Sequence, residues 1–167
     1  MDEIDFIIKR LKSDEKLKNK KISFNLLFKA TRDGQNAYDF HRKCDGKVQQ
    51  LVFIKTTKGE IFGGYTEVGY RSRENPVKDN NSFVFSFSNK IIYNAKTDRN
   101  VIYDYKSHGP SFYCTLYIQN KMFDDYSYFS NSSDYPFYGI TNNYELNNGE
   151  KNFYIQEIEV YQILYNQ

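Results

Sequence analysis

His41 and Cys44 stand three residues apart in the stretch AYDFHRKC, a spacing that on a helix sets an imidazole about one turn from a thiol. Such a pair is the minimum for a thiolate nucleophile or a redox-sensing cysteine, because a neighbouring imidazolium lowers the thiol pKa. The pattern around them argues the other way. Ala37, Phe40, His41 and Cys44 fall at i, i+3, i+4 and i+7, so both groups lie on the apolar face of one helix, where cysteine is ordinarily a small buried hydrophobe. With His108 and Cys114 they make up every histidine and cysteine of the chain, four groups for a tetrahedral zinc site. Their separations are unlike the paired short loops of structural zinc sites, and no metal is expected. Ser111 lies in Gly-Pro-Ser-Phe, which is no nucleophile elbow, and neither histidine has an evident Asp partner in sequence. Gly63-Gly64 alone makes no phosphate loop or dinucleotide fingerprint, so no cofactor is expected.

Glu157 and Glu159 are the carboxylate pair with enzyme-like spacing. At i and i+2 on a strand they share a face about 6.5 to 7 Å apart at the backbone, a separation a glycosidase acid and nucleophile tolerate. A surface pair, solvated or matched to a base such as Arg32, is the commoner outcome. A third reading uses aromatic rings: Tyr126, Tyr128 and Tyr135 lie in polar surroundings and would serve a carbohydrate-binding sandwich as stacking platforms.

The elements that must position these groups are mostly strands. Phe24, Leu26 and Phe28 alternate with polar or flanking positions, giving a strand with one apolar face. Arg32-Asp33-Gly34 supplies turn chemistry, Asn36 an N-cap, and Asp45-Gly46 the stop of the helix that carries His41. Leu51 to Ile54 reads as a strand buried on both faces, and Lys58-Gly59 as a hairpin turn. The return strand, Glu60 to Tyr65, carries Gly63 and Gly64, which mark a bulge or a close approach of another backbone. Gly69 to Asn81 reads as a polar loop. Phe83, Phe85 and Phe87 give a strand with an aromatic face; Lys90 to Tyr93 and Val101 to Tyr105 read as strands. Phe112, Cys114, Leu116 and Ile118 share one strand face, Asp124 to Asn131 is an exposed loop, Tyr135 to Tyr138 an edge strand, and Asn147-Asn148-Gly149 a hairpin turn. The closing strand puts Ile158 and Val160 on one face, and Glu157, Glu159, Tyr161 and Ile163 on the other.

At the N-terminus, Ile4, Ile7, Ile8 and Leu11 form the stripe of an amphipathic helix over residues 2–12. Between Ser13 and Lys21 Leu17 is the lone apolar residue, so that stretch reads as solvated. The lysines there would allow at most peripheral contact with an anionic membrane; docking on the domain or a partner helix is the stronger expectation. The fold class that follows is α+β, mainly β: a two-sheet antiparallel β-sandwich flanked by a few short helices. The chain divides into a helix and connector over 1–21 and a β domain over 22–167.

A net charge of +2 makes no case for nucleic acid. No apolar run approaches the ~20 residues of a membrane span, and the start, Met1 to Asp5, lacks a secretory leader pattern. Two cysteines are too few for a disulfide framework, which favours a reducing, cytoplasmic setting. The 16 tyrosines and 14 phenylalanines suit strands and support the β reading.

Several stretches together resemble a known family. LLFKATRDG, FHRKCDGK and IFGGYTEVGY, followed in order by FVFSFSNK, GPSF and IQEIEVYQI, are similar to the successive motifs of the TLDc domain and cover residues 22 to 165 or so. One motif departs: many members follow GPxF with further glycines and an Asp, where this chain has Tyr113, Cys114 and Thr115. The resemblance implies two face-packed sheets with flanking helices. It also implies a non-catalytic protein-interaction module tied to oxidation resistance and to a subunit of the vacuolar proton-pumping ATPase. Arg32, Asp33, Gly34, Asp45 and Gly46 are the candidates for shaping the partner surface, with His41, Gly63, Gly64, Gly109, Glu157 and Glu159 as further motif residues; turns and caps demand several of these types in any case. A redox role for Cys44 remains the alternative, alongside carbohydrate binding.

Overall fold

The computed structural model describes residues 4–166. In chain order it runs α1 (Asp5–Leu11), β1 (Ile22–Lys29), α2 (Ala30–Asp33), α3 (Ala37–Cys44), β2 (Gln50–Thr56), β3 (Ile61–Thr66), β4 (Asn75–Lys78), β5 (Phe83–Ser86) and β6 (Ile91–Asn94). It continues with β7 (Asn100–Asp104), β8 (Ser111–Phe112), β9 (Leu116–Tyr117), β10 (Ser127–Phe129), a 3-10 turn over Asn143–Asn147, β11 (Asn152–Phe153) and β12 (Ile155–Tyr165). Among the described residues these strands form two six-stranded antiparallel sheets, ordered β1-β12-β2-β3-β5-β6 and β11-β10-β9-β8-β7-β4. The protein is therefore the mainly-β α+β sandwich its alternating pattern predicts.

Two apolar layers hold it together. Between the sheets, Val52, Ile54, Phe62, Val84, Ile158 and Val160 meet Ile102, Phe112, Leu116, Phe129 and Phe153. On the far side of the first sheet, Leu51, Tyr65, Phe83, Phe85 and Ile163 meet Ile7, Leu11 and Leu17 of the N-terminal segment. β2 is consequently buried on both faces, as its unbroken apolar run requires. The aromatic face of β5 points outward to α1, where Phe6 lies edge-on to Phe85 at 6.4 Å. Arg10 sets its guanidinium 4.8 Å above the Phe83 ring and donates to Asn94 Oδ1. The helix expected over residues 2–12 is ordered over Asp5–Leu11, and its acidic start at Asp2 and Glu3 lies outside the described residues. Leu17 is buried rather than solvated, because the chain after α1 folds back over the same face.

Several local readings need correction. Phe24, Leu26 and Phe28 do not share a face: the register shifts between Leu26 and Phe28, so Phe24 joins the outer layer while Phe28 joins the core between the sheets. Asn75–Lys78 is not loop but the edge strand β4, a place where Pro76 costs no ladder bond. Phe112 to Ile118 is a tight hairpin, with Cys114 at its bend in a left-handed conformation, φ 53°. Residues 124–131 contain β10, whose Ser127 and Phe129 are buried. Tyr135 to Tyr138 makes only a single bridge, Ala95 to Phe137. Asn148 and Gly149 close the 3-10 turn instead of a hairpin.

Gly63 and Gly64 mark close approaches, not a bulge, since β3 keeps its register with both neighbours. A Cβ on Gly63 would lie 1.8 Å from the Val52 carbonyl oxygen, and one on Gly64 2.3 Å from the buried Phe112 ring. Both sites are closed to side chains, but the first obstacle is backbone and the second a ring. Gly63→Ala is expected to destabilise more than Gly64→Ala, which should cost ~1–3 kcal/mol by overpacking. In urea unfolding, a Gly64→Ala/Phe112→Leu double variant is expected to lose less than the sum of the single changes, and strict additivity would refute the clash.

Candidate functional site

α3 starts on a full capping box: Asn36 accepts from the Asp39 amide, and Asp39 accepts from the Asn36 amide. Its apolar face, Ala37, Phe40 and Cys44, closes one side of the sandwich, with Phe40 edge-on to Phe28 at 5.8 Å and to Tyr70 at 5.2 Å. Cys44 is fully buried there, and burial first, then the charges of Asp45 and Asp33, push its thiol pKa well up. A thiol held protonated and shut away from solvent is neither nucleophile nor sensor.

His41 is pinned on both ring nitrogens. Nδ1 donates to Asp45 Oδ1 at 2.7 Å, and Nε2 donates to the backbone carbonyls of Tyr105 and His108, each at 2.9 Å. Ser72 Oγ donates to Asp45 Oδ2 at 2.5 Å and sits 3.1 Å from Nδ1. Carbonyls only accept, so Nε2 carries a proton; the carboxylate makes Nδ1 a donor as well. The ring is thus held as an imidazolium with no lone pair to offer a substrate. Burial opposes that charge, but the Asp45 contact and the two carbonyls outweigh it, and the His41 pKa is raised. Serine, histidine and aspartate come together here as a structural clasp joining α3 to the loops at Ser72 and Tyr105–His108, not as a hydrolase triad.

The partner Asp is legible in hindsight, because His41 and Asp45 are i and i+4 on one helix. Ser72 carried no such signal. Nor did Asp104, which is fully buried and accepts the amides of Arg71, Ser72 and Arg73, with the Arg73 guanidinium 2.9 Å away.

At the other end of α3, Asp33 accepts the Lys29 amide and pairs with Arg32, whose hydrogen bond leads in holding the Asp33 pKa down to about 2. Gly34 turns there with φ 126°, and the Asp39 carboxylate occupies the space a Cβ would need. Gly46, φ 82°, follows Asp45 and donates its amide to the Tyr70 carbonyl. Gly109 is hemmed in by Ile118 and Met122, so GPSF is a packing motif.

Arg32 does not reach the glutamate pair. Glu157 accepts from the amide and hydroxyl of Thr31, at 3.1 and 2.5 Å, whereas Glu159 accepts from the Tyr161 hydroxyl and lies 3.5 Å from Lys29. Both carboxylates border a hollow of about 430 Å³ beside α1, floored by Phe24, Phe53, Phe87 and Tyr161. An apolar floor with carboxylates already engaged in hydrogen bonds is not the two-sided cleft that glycoside hydrolysis needs. Among the described residues no cluster of three or more His, Cys, Asp or Glu is placed to hold a metal, and no helix is long and apolar enough to cross a membrane.

With Cys44 sealed in the core and His41 clasped by Asp45 and two carbonyls, the two-sheet sandwich defines a β module of mainly-β α+β class. The TLDc domain family model matches residues 2–164, and the chain belongs to that family. A search of curated proteins gave no match.

Two measurements check the clasp. A raised folded-state pKa makes His41 stabilising below its unfolded pKa of about 6.5, with loss as pH rises through the folded value. The His108 pKa is lowered, chiefly by burial, so its contribution works the other way and is complete by about pH 6.5. Stability in urea is therefore expected to decline above about pH 6.5, and a His41→Gln variant to show a flatter profile there. In the native state, iodoacetamide is expected to label half-buried Cys114 and to spare Cys44 until the chain unfolds.

Proposed function

We propose that this chain is a non-catalytic protein-interaction module acting in the cytoplasm, whose partner is a subunit of the vacuolar proton-pumping ATPase and whose cellular role lies in oxidative-stress resistance. The observation that carries the reading is the family match over nearly the whole chain. The chemistry of the candidate groups agrees with it: Cys44 is buried, His41 has both nitrogens engaged, and Glu157 and Glu159 are hydrogen-bonded in place. A module of this kind works by differential binding, holding a partner in one assembly state in preference to another.

The corner formed by α2 and the start of α3 is the surface we assign to the contact. Arg32 is exposed there beside Asp33, the Gly34 turn sets the backbone direction, and Thr31 ties the corner to Glu157 on β12. Because its geometry is fixed by hydrogen bonds, a partner meets it without ordering a loop first. The test is capture of the purified soluble sector of the ATPase by the immobilised chain. Wild type is expected to retain it, and Arg32→Glu, shown by thermal melting to be folded, to weaken retention several-fold. Failure of the folded wild-type chain to retain any ATPase subunit would refute the assignment.

A further inference from the structure

Tyr126 and Tyr154 are among the most exposed aromatic residues of the chain, 52 % and 49 % accessible, yet they stand together with ring centroids 6.3 Å apart and planes at 87°. Single exposed tyrosines need no explanation, but two rings crossed edge to face, each about half accessible, form an aromatic ridge. The ridge separates two hollows. One, of about 240 Å³, is bordered by Thr57, Lys58 and Asn147; the other, of about 650 Å³, by Gln119, Asp124, Asp125, Tyr128 and Lys151, with Asn152 reaching both. In the smaller hollow Lys58 is bound to the Glu150 carboxylate at 2.8 Å. In the larger one, the Gln119 backbone amide donates to Ser127 Oγ, while its side-chain carboxamide, the carboxylates of Asp124 and Asp125 and the ammonium of Lys151 make no hydrogen bond to another side chain among the described residues.

Aromatic faces ringed by free donors and acceptors select for a ligand that is apolar on its ring face and polar around its edge. A sugar ring is built that way: its C–H groups lie on the aromatic plane while vicinal hydroxyls donate to carboxylates and accept from amides and ammonium groups. Other ligand classes fit less well. Two carboxylates beside one lysine repel phosphate, which tells against nucleic acids and phosphorylated ligands. An apolar helix laid across the ridge would strip water from both carboxylates without replacing it.

We propose that the Tyr126–Tyr154 ridge is a carbohydrate-binding site for a neutral linear oligosaccharide, with one sugar ring on the Tyr126 and Tyr128 side and the next in the smaller hollow. Of the three tyrosines the sequence suggested as platforms, Tyr126 and Tyr128 line the cleft. Tyr135 does not, being drawn against the core between the sheets, and Tyr154 takes its place. The site stands independently of the ATPase reading.

Saturation-transfer NMR and titration calorimetry on the full chain test it, using cello-, laminari-, malto-, manno- and chito-oligosaccharides as probes. At least one of these is expected to bind. Tyr126→Ala and Tyr154→Ala are each expected to weaken it by at least about fivefold, whereas Tyr38→Ala, at an exposed tyrosine elsewhere, is expected to leave it unchanged. Thermal melting of each variant shows that the fold is kept. If the folded wild type binds none of the five, or the Tyr126→Ala/Tyr154→Ala double variant binds as wild type does, the proposal is overturned. A double variant that loses a polypeptide partner, with no saccharide bound by the parent, assigns the ridge to protein contact and also overturns it. Retention of the ATPase sector by the double variant separates this site from the surface at Arg32.

Discussion

A sheet that is apolar on both faces must be covered twice, and that demand shapes the whole molecule. β2 and β5 carry large apolar residues on each side, so the first sheet needs the second sheet against its inner face and the N-terminal segment against its outer one. α1 has only seven residues, too few to be a stable helix alone, and its helicity is sustained by the Phe6, Ile7 and Leu11 contacts it makes. The inner contact in turn depends on the two glycines of β3. Where Gly64 leaves room, the Phe112 ring of the second sheet enters, and any side chain at that point would hold the sheets apart.

The second sheet faces a different requirement. Its strands are short, and its outer side is left to water, so the residues there are tyrosines with a hydroxyl to present. Tyr103 stacks on Tyr105 at 4.2 Å and meets Tyr117 edge-on at 5.0 Å, and Tyr117 leads on to Tyr128. The two sheets therefore offer unlike surfaces: an apolar hollow next to α1 on one, and a tyrosine face running toward a polar cleft on the other.

Buried polar side chains then fix the loops that strands alone would leave loose. Ser72 and Glu74 adopt left-handed conformations, φ 55° and 60°, which non-glycine residues seldom do. Asp104, wholly enclosed, holds that segment through three consecutive amides, while Asp79 collects Thr66 and the amides of Glu67 and Val68 on the same connection. His41 joins the segment to α3. Removing one partner from any of these sets would leave a buried carboxylate or imidazole short of a hydrogen bond, and that requirement holds the segment in one conformation.

The sequence by itself determined the strand-rich class, the capped helix from Ala37 to Cys44, the two-faced burial of β2, and the family, because alternation, capping and turn preferences act between residues a few positions apart. It pointed the wrong way where the outcome depended on residues far along the chain. The bulge that sends Phe24 and Phe28 to opposite faces answers to β12, the polar segment at Asn75 became a strand because β7 offered an open edge, and Leu17 was buried by a face assembled from four other strands. The same division runs through the candidate groups. Their chemistry was readable as residue types, but whether Cys44 reaches solvent, which atoms clasp His41, and that Tyr154 crosses Tyr126 were decided by tertiary structure alone, since burial and long-range hydrogen bonding are properties of the assembled sheets and not of any local stretch.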